Sequence, residues 1–140
     1  MIRIILIFIV LIFLNGCGQK KTAEINLESL LSLHNQARSS QNLESLSLDP
    51  FLTEYAANHA AWMAKKNTLQ HSSINNLLGR FQSSGENIAW NQNDENQVFD
   101  AWMRSRPHKA NILNQKFNLV GFGMARNSKG QPYWCAVFGK

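Results

Sequence analysis

The spacing of apolar residues changes along the chain, and those changes divide it into elements. Between Ile25 and about Ser39, Leu27, Leu30, Leu31, Leu33 and Ala37 follow helical spacing, with Asn26, Glu28 and Ser29 at the start. This predicts a first helix, which carries His34 and Arg38. A polar connection over residues 40–47 leads to Leu48-Asp49-Pro50. Asp49 as N-cap with Pro50 in the first turn predicts a second helix to about Asn67. Its apolar stripe is Leu52, Tyr55, Ala56, Ala60 and Met63, and its alanines permit close packing. Residues 75–84 suggest one helical turn and then loop.

Glu86 to Trp90 reads as a short strand. Asn93 or Asp94 caps a third helix from Glu95 to Arg104, with Val98, Phe99 and Trp102 on its apolar face; Pro107 interrupts it, and Lys109 to Leu113 adds a further turn. Leu119–Arg126 and Pro132–Phe138 flank Asn127-Ser128-Lys129-Gly130 and predict a β-hairpin, with Gly130 available for positive φ. Gly121 and Gly123, inside the first of these strands, indicate close approach by another element or a ligand. Helices, a strand, a helix and a terminal hairpin make an α+β domain.

The N-terminus follows different rules. Met1-Ile2-Arg3 leads into an unbroken apolar run from Ile4 to Leu14, which as a helix spans about 16 Å. A hydrocarbon core is roughly 30 Å thick, so the run fits the h-region of an export signal rather than a membrane span. Leu14-Asn15-Gly16-Cys17 resembles the lipobox of bacterial lipoproteins, which makes Cys17 the acylated first residue of the mature chain. Residues 1–16 are then a signal peptide, residues 17–25 a lipidated tether and residues 26–140 one folded domain. Gly18–Ala23 stretches at most about 20 Å, so the domain stays near its membrane. Gly18, rather than Asp, after the cysteine resembles outer-membrane sorting if the cell is Gram-negative.

The 140-residue chain carries a formal charge of +5, which falls by one when Arg3 leaves with the signal. The basic residues are scattered, so a nucleic-acid partner is not expected, and the partners implied are a membrane, a lipid ligand or a protein. The chain has 2 cysteines. With Cys17 acylated, Cys135 has no disulfide partner, and its place between Trp134 and Ala136 in an apolar strand suits an inert buried thiol.

Candidate chemistry rests on His71, Glu86 and His108. Two imidazoles and a carboxylate make a ligand set for Zn²⁺ or another divalent cation, or a metal-free acid–base group. Their spacing matches no local motif such as HExxH, so they form a site only if the fold gathers them; otherwise Glu86 caps a helix and the histidines are ordinary loop residues. His34, His59 and Arg38 read as structural hydrogen-bonding residues within or beside helices. No Gly-x-Ser-x-Gly elbow, P-loop or dinucleotide fingerprint is present.

Six strings, in order, resemble a bacterial member of the CAP superfamily (cysteine-rich secretory proteins, antigen 5, pathogenesis-related 1), also called the SCP domain. They are His34-Asn35-Gln36-Ala37-Arg38; Leu48-Asp49-Pro50; His71-Ser72; Gly85-Glu86-Asn87-Ile88; Trp102 to Leu113; and Val120-Gly121-Phe122-Gly123 with Tyr133 to Gly139. The resemblance implies an α-β-α sandwich with a small antiparallel sheet between helical layers. It also implies a cleft at His71, Glu86 and His108 able to hold Zn²⁺ or another divalent cation. Many eukaryotic members place a second glutamate where this chain has Ser105, which implies a weaker cation site. Arg106-Pro107 replaces the common Pro-Gly, and a guanidinium beside the cleft would disfavour a protonated His108 or a bound cation and favour an anionic ligand, unless its side chain points to solvent.

Lipid or sterol binding, partner binding, antimicrobial action and proteolysis have all been proposed within the superfamily. For this chain the expectation is a non-catalytic envelope module for a small hydrophobic ligand or a protein partner. The alternatives are a metal-assisted hydrolase using the same cleft, with His71, Glu86 or His108 catalytic, and a purely structural or host-contact surface lipoprotein. Metabolic labelling with a clickable fatty acid checks the anchor: the native chain takes up label and Cys17→Ala does not. A labelled Cys17→Ala protein would rule the anchor out.

Overall fold

The computed structural model describes residues 25–140 apart from Leu78 and the side chains of Asn75 and Asn76. The expected signal peptide, Cys17 and most of the expected tether lie outside the described residues. The elements are α1 (Leu27–Ser39), β1 (Ser47–Leu48), α2 (Pro50–Lys66), a 3₁₀ turn (Ile74–Leu77), β2 (Ser84–Trp90), α3 (Glu95–Arg104), α4 (Arg106–Ile112), β3 (Leu119–Arg126) and β4 (Pro132–Gly139). Among the described residues no helix is long and apolar enough to cross a membrane.

Each long helix starts on a side chain that supplies a missing hydrogen-bond partner. Asn26 accepts from the Ser29 amide at 2.9 Å, Asp49 from Leu52 at 2.8 Å and Asp94 from Gln97 at 2.8 Å. The α2 helix ends on Asn67 in the left-handed region, at φ 51°. Pro107 does not interrupt the chain where expected. It lies in the first turn of α4, where a missing N–H leaves no intrahelical bond unmade, and the break falls at extended Ser105 (φ −94°, ψ 117°).

The sheet order is β1-β3-β4-β2. β3 and β4 form the expected hairpin, antiparallel from Leu119↔Gly139 to Arg126↔Pro132, and Gly130 turns it at φ 78°. β2 runs antiparallel to β4 as an edge strand. The sheet is antiparallel but for one short strand: β1, where Ser47 reads as the end of a polar connection, pairs parallel with β3 through Ser47↔Leu119 and Leu48↔Val120. Two residues are too few for an alternation to register in sequence.

Alternation along β4 separates two cores. Trp134, Ala136 and Phe138 join Leu30, Val98, Trp102 and Ile112 from α1, α3 and α4. Tyr133, Cys135 and Val137 join Leu52, Ala56, Ala60 and Met63 from α2. Helices therefore cover both faces of the sheet, as an α-β-α sandwich. On the α2 side the contact is backbone to backbone: a Cβ on Gly121 would lie 2.1 Å from the Leu52 carbonyl carbon, and one on Gly123 2.3 Å from the Ala57 nitrogen. The two strand glycines thus mark an approaching helix rather than a ligand.

Two buried polar residues of α1 confirm the structural roles expected of them. Arg38 donates to four carbonyls: Glu44 at 2.8 Å, Ile112 at 2.9 Å, Asn114 at 2.9 Å and Phe117 at 2.8 Å. Its charge is balanced by carbonyl dipoles, including those at the negative end of α4. His34 donates from Nδ1 to Leu30 O at 2.8 Å, while Nε2 is buried without a partner among Phe99, Trp102 and Phe122 rings.

Burial lowers the His34 pKa from 6.5 to about 4, outweighing the bond to Leu30, and the Arg38 charge lowers it further. Folded His34 is neutral, whereas the unfolded chain gains a proton below pH 6.5. Its contribution is therefore complete above that pH, falls as pH drops from 6.5 to about 4, and then levels, a difference of about 3 kcal/mol. Urea denaturation at pH 7.5 and 4.5 should show the native protein losing roughly 2 to 3 kcal/mol more than His34→Gln. Equal losses, or an NMR titration with His34 protonated at pH 5.5 in the folded protein, would contradict this.

Candidate functional site

Glu86 is the centre of the site. It lies on β2, with Ile88 on the face toward α2, while Ala89 belongs to the opposite core. Its side chain is 2% exposed. A carboxylate so buried needs donors around it, and the segment after α2 supplies most of them. His71 Nδ1 lies 2.7 Å from Oε1, the Ser72 amide donates to the same oxygen at 2.9 Å, and the Ser72 hydroxyl donates to Oε2. Cys135 Sγ reaches Oε2 from β4 at 3.7 Å. Glu86 therefore does not cap a helix.

A carboxylate only accepts, so the hydrogen on His71 must be on Nδ1, which leaves Nε2 directed away from the bond. The ring is 58% exposed, so it presents Nε2 toward solvent from a fixed base. Metal-binding histidines are commonly held in this way, one nitrogen on a carboxylate and the other on the ligand.

Two residues of α2 complete the surround. Tyr55 OH donates to Ser72 Oγ at 3.1 Å. His59 donates from Nε2 to Gln70 O at 2.8 Å, and that nitrogen is 4.0 Å from Glu86 Oε2. His59 has the structural bond expected of it, yet it also borders the cleft. Tyr55, His59 and Trp62 are spaced i, i+4, i+7, so one stripe of α2 faces this loop. That spacing was legible, but without the fold it could equally have been core.

His108 lies on α4, which packs on the other face of the sheet. Asn87, next to Glu86 and pointing the opposite way, donates to His108 O at 2.9 Å. Asn111 donates to Glu86 O at 3.1 Å and to Asn87 Oδ1 at 2.8 Å. The site thus brackets the edge strand, with His71 on one side and His108 on the other. His108 is half-buried, and burial lowers its pKa, with the charge of His71 adding to the effect. Arg106 is exposed and is not among the causes. Exposed Arg106 thus falls under the solvent-facing exception, and burial rather than the guanidinium lowers the His108 pKa. Ser105 separates α3 from α4 and caps neither through its side chain.

The fold brings His71 and Glu86 into direct contact, while His108 is tied to the same strand through its backbone carbonyl, which accepts from Asn87. Among the described residues no three His, Cys, Asp or Glu side chains converge as a ready ligand set. Both oxygens of Glu86 are engaged, so the donors left for a cation are the two imidazoles. The Cys135 thiol is pushed well above its ordinary pKa by burial, by the charge of Glu86 and by its bond to that carboxylate, which suits the inert role expected of it.

Residues 31–138 match the model of the CAP, or cysteine-rich secretory protein, family. The chain belongs to the CAP family. It is 31% identical over 105 residues to YkwD of Bacillus subtilis, an alignment covering 69% of this chain and 41% of that protein. An outer surface protein of Borrelia burgdorferi superposes with a TM-score of 0.73 at 23% identity, covering 81% of this chain and 90% of the other. An extracellular SCP-domain protein of Bacillus anthracis gives 0.69 at 28% identity, over 81% of this chain and 39% of the other. The chain therefore spans about two fifths of YkwD and of the B. anthracis protein.

Proposed function

We propose that this CAP domain is an exported, lipid-anchored binding module, held to the cell envelope through Cys17, whose cleft takes its ligand at His71. The observation that carries the reading is the saturation of Glu86. Its oxygens accept from His71, Ser72 and Cys135, so it holds an imidazole in place and has no open lone pair with which to take a proton from water. The thiol beside it is sequestered. Both facts favour binding over hydrolysis. Export is supported by the N-terminal apolar run and by two neighbours named as outer surface and extracellular proteins.

The donors suit a divalent cation bound through His71 Nε2 and His108, with Glu86 fixing the first of them from behind. Such a cation would supply a Lewis-acidic contact for an anionic or carbonyl group of a ligand. Lacking a carboxylate ligand, the site should bind it weakly. Calorimetric titration of chelator-treated protein with ZnCl₂ tests this. One site is expected, weakened about tenfold or more by His71→Ala, by His108→Ala and by Glu86→Gln. No measurable heat, or unchanged affinity in His71→Ala, would overturn it.

A further inference from the structure

Beside the cleft, and sharing His71 and Ser72 with it, lies an open groove of about 270 Å³ lined also by His59, Trp62, Gln70 and Ser73. Trp62 stacks on His59 with ring planes 13° apart and centroids 5.6 Å apart. His59 is itself fixed by its bond to Gln70 O. The indole is therefore supported on one side, yet it remains 40% exposed. A large aromatic ring held flat at the rim of a groove, when it could have been buried, is a surface for stacking.

The rim decides what stacks there. The side-chain amide of Gln70 and the hydroxyl of Ser73 have no intramolecular partner among the described residues, and both line the groove. A lipid tail offers such groups nothing. A pyranose offers its C–H face, with slightly positive hydrogens, to the negative face of the indole, and its hydroxyls to the amide and the serine. Charge narrows the class further. Lys66 is exposed four residues after Trp62 on the same stripe of α2. The one acidic residue of α2, Glu54, is eight residues before Trp62, about 12 Å along the axis. Glu86 has its oxygens engaged below.

The geometry points to a saccharide subsite: Trp62 on His59 stacks a pyranose ring carrying an anionic substituent, as in an acidic envelope glycan, and places the neighbouring part of that glycan at His71. This rests on the reading of the cleft as a ligand-binding surface and names the ligand's class. It does not require a bound cation.

The test uses the full chain in detergent with chelator present, titrated with tetragalacturonate, with neutral maltotetraose and with a short Tyr- and Phe-containing peptide. The indole N–H signals of the 4 tryptophans are followed by NMR. The Trp62 signal should shift saturably with the uronate oligomer and at least tenfold more weakly with the neutral one. Trp62→Ala should weaken binding tenfold or more and Lys66→Gln several-fold, while Trp62→Phe, which keeps a ring and guards against misfolding, should bind within a few-fold of the native protein. Zinc affinity should be unchanged in Trp62→Phe. No response to either saccharide, a Trp62→Ala protein of native affinity, or a response to the aromatic peptide alone overturns the subsite, and with zinc binding intact it does so without touching the cation reading. Loss of zinc binding with saccharide binding retained removes that cation reading and leaves the subsite standing.

Discussion

A carboxylate removed from water is tolerated only when its environment replaces the hydration it lost, and the arrangement around Glu86 follows from that requirement. The edge strand β2 carries the group inward, and the loop after α2 must come down over it to supply a backbone amide, a hydroxyl and an imidazole N–H. The loop's position in turn depends on α2. Tyr55 and His59 hold Ser72 and Gln70 from the helix, and the helix sits where Gly121 and Gly123 let its backbone meet the sheet. One buried charge thus couples the sheet edge, the packing of α2 and the orientation of His71.

The other half of the cleft is held by neutral and cationic groups. Asn87 and Asn111 tie α4 to β2, and Arg38 gathers the carbonyls at the end of α4 and in the segment leading to β3. The backbone of His108 therefore stays with α4, on the opposite side of the edge strand from the loop that carries His71. The cleft is a seam between the two helical layers, closed by hydrogen bonds on each side and open at the edge.

Much of the fold was legible because its elements are marked by local chemistry. Asp49-Pro50 starts α2, Gly130 turns the hairpin, and the period of α3 is carried by Val98, Phe99 and Trp102. What escaped was set by tertiary context. β1 is a strand only because β3 lies beside it, and Pro107 reads as a stop unless Ser105 is already known to be extended. The site divides similarly. Nothing within the spacing of His71, Glu86 and His108 says that any of them meet; the contact of His71 with Glu86 depends on a loop and a strand that the order of the six strings, not their spacing, placed together. The same strings contained Asn87 and Asn111, and α2 contained His59, but amides and a helical imidazole carry no chemical signature until their partners are in view. Of the two roles open to Glu86 in the sequence, ligating a cation or orienting a histidine, its hydrogen bonds favour the second, and that choice was hidden because its donors come from a loop and a strand distant in sequence.

Glu86 fixes the imidazole of His71, and the tautomer of that ring reports the constraint. Long-range ¹⁵N–¹H NMR of His71, at a pH where the ring is neutral, should show the hydrogen on Nδ1 in the native protein. In Glu86→Gln, whose amide can donate as well as accept, the population should move toward the Nε2–H form. A native ring with its hydrogen on Nε2, or an Nδ1–H population indifferent to Glu86→Gln, would show that Glu86 does not fix the ring.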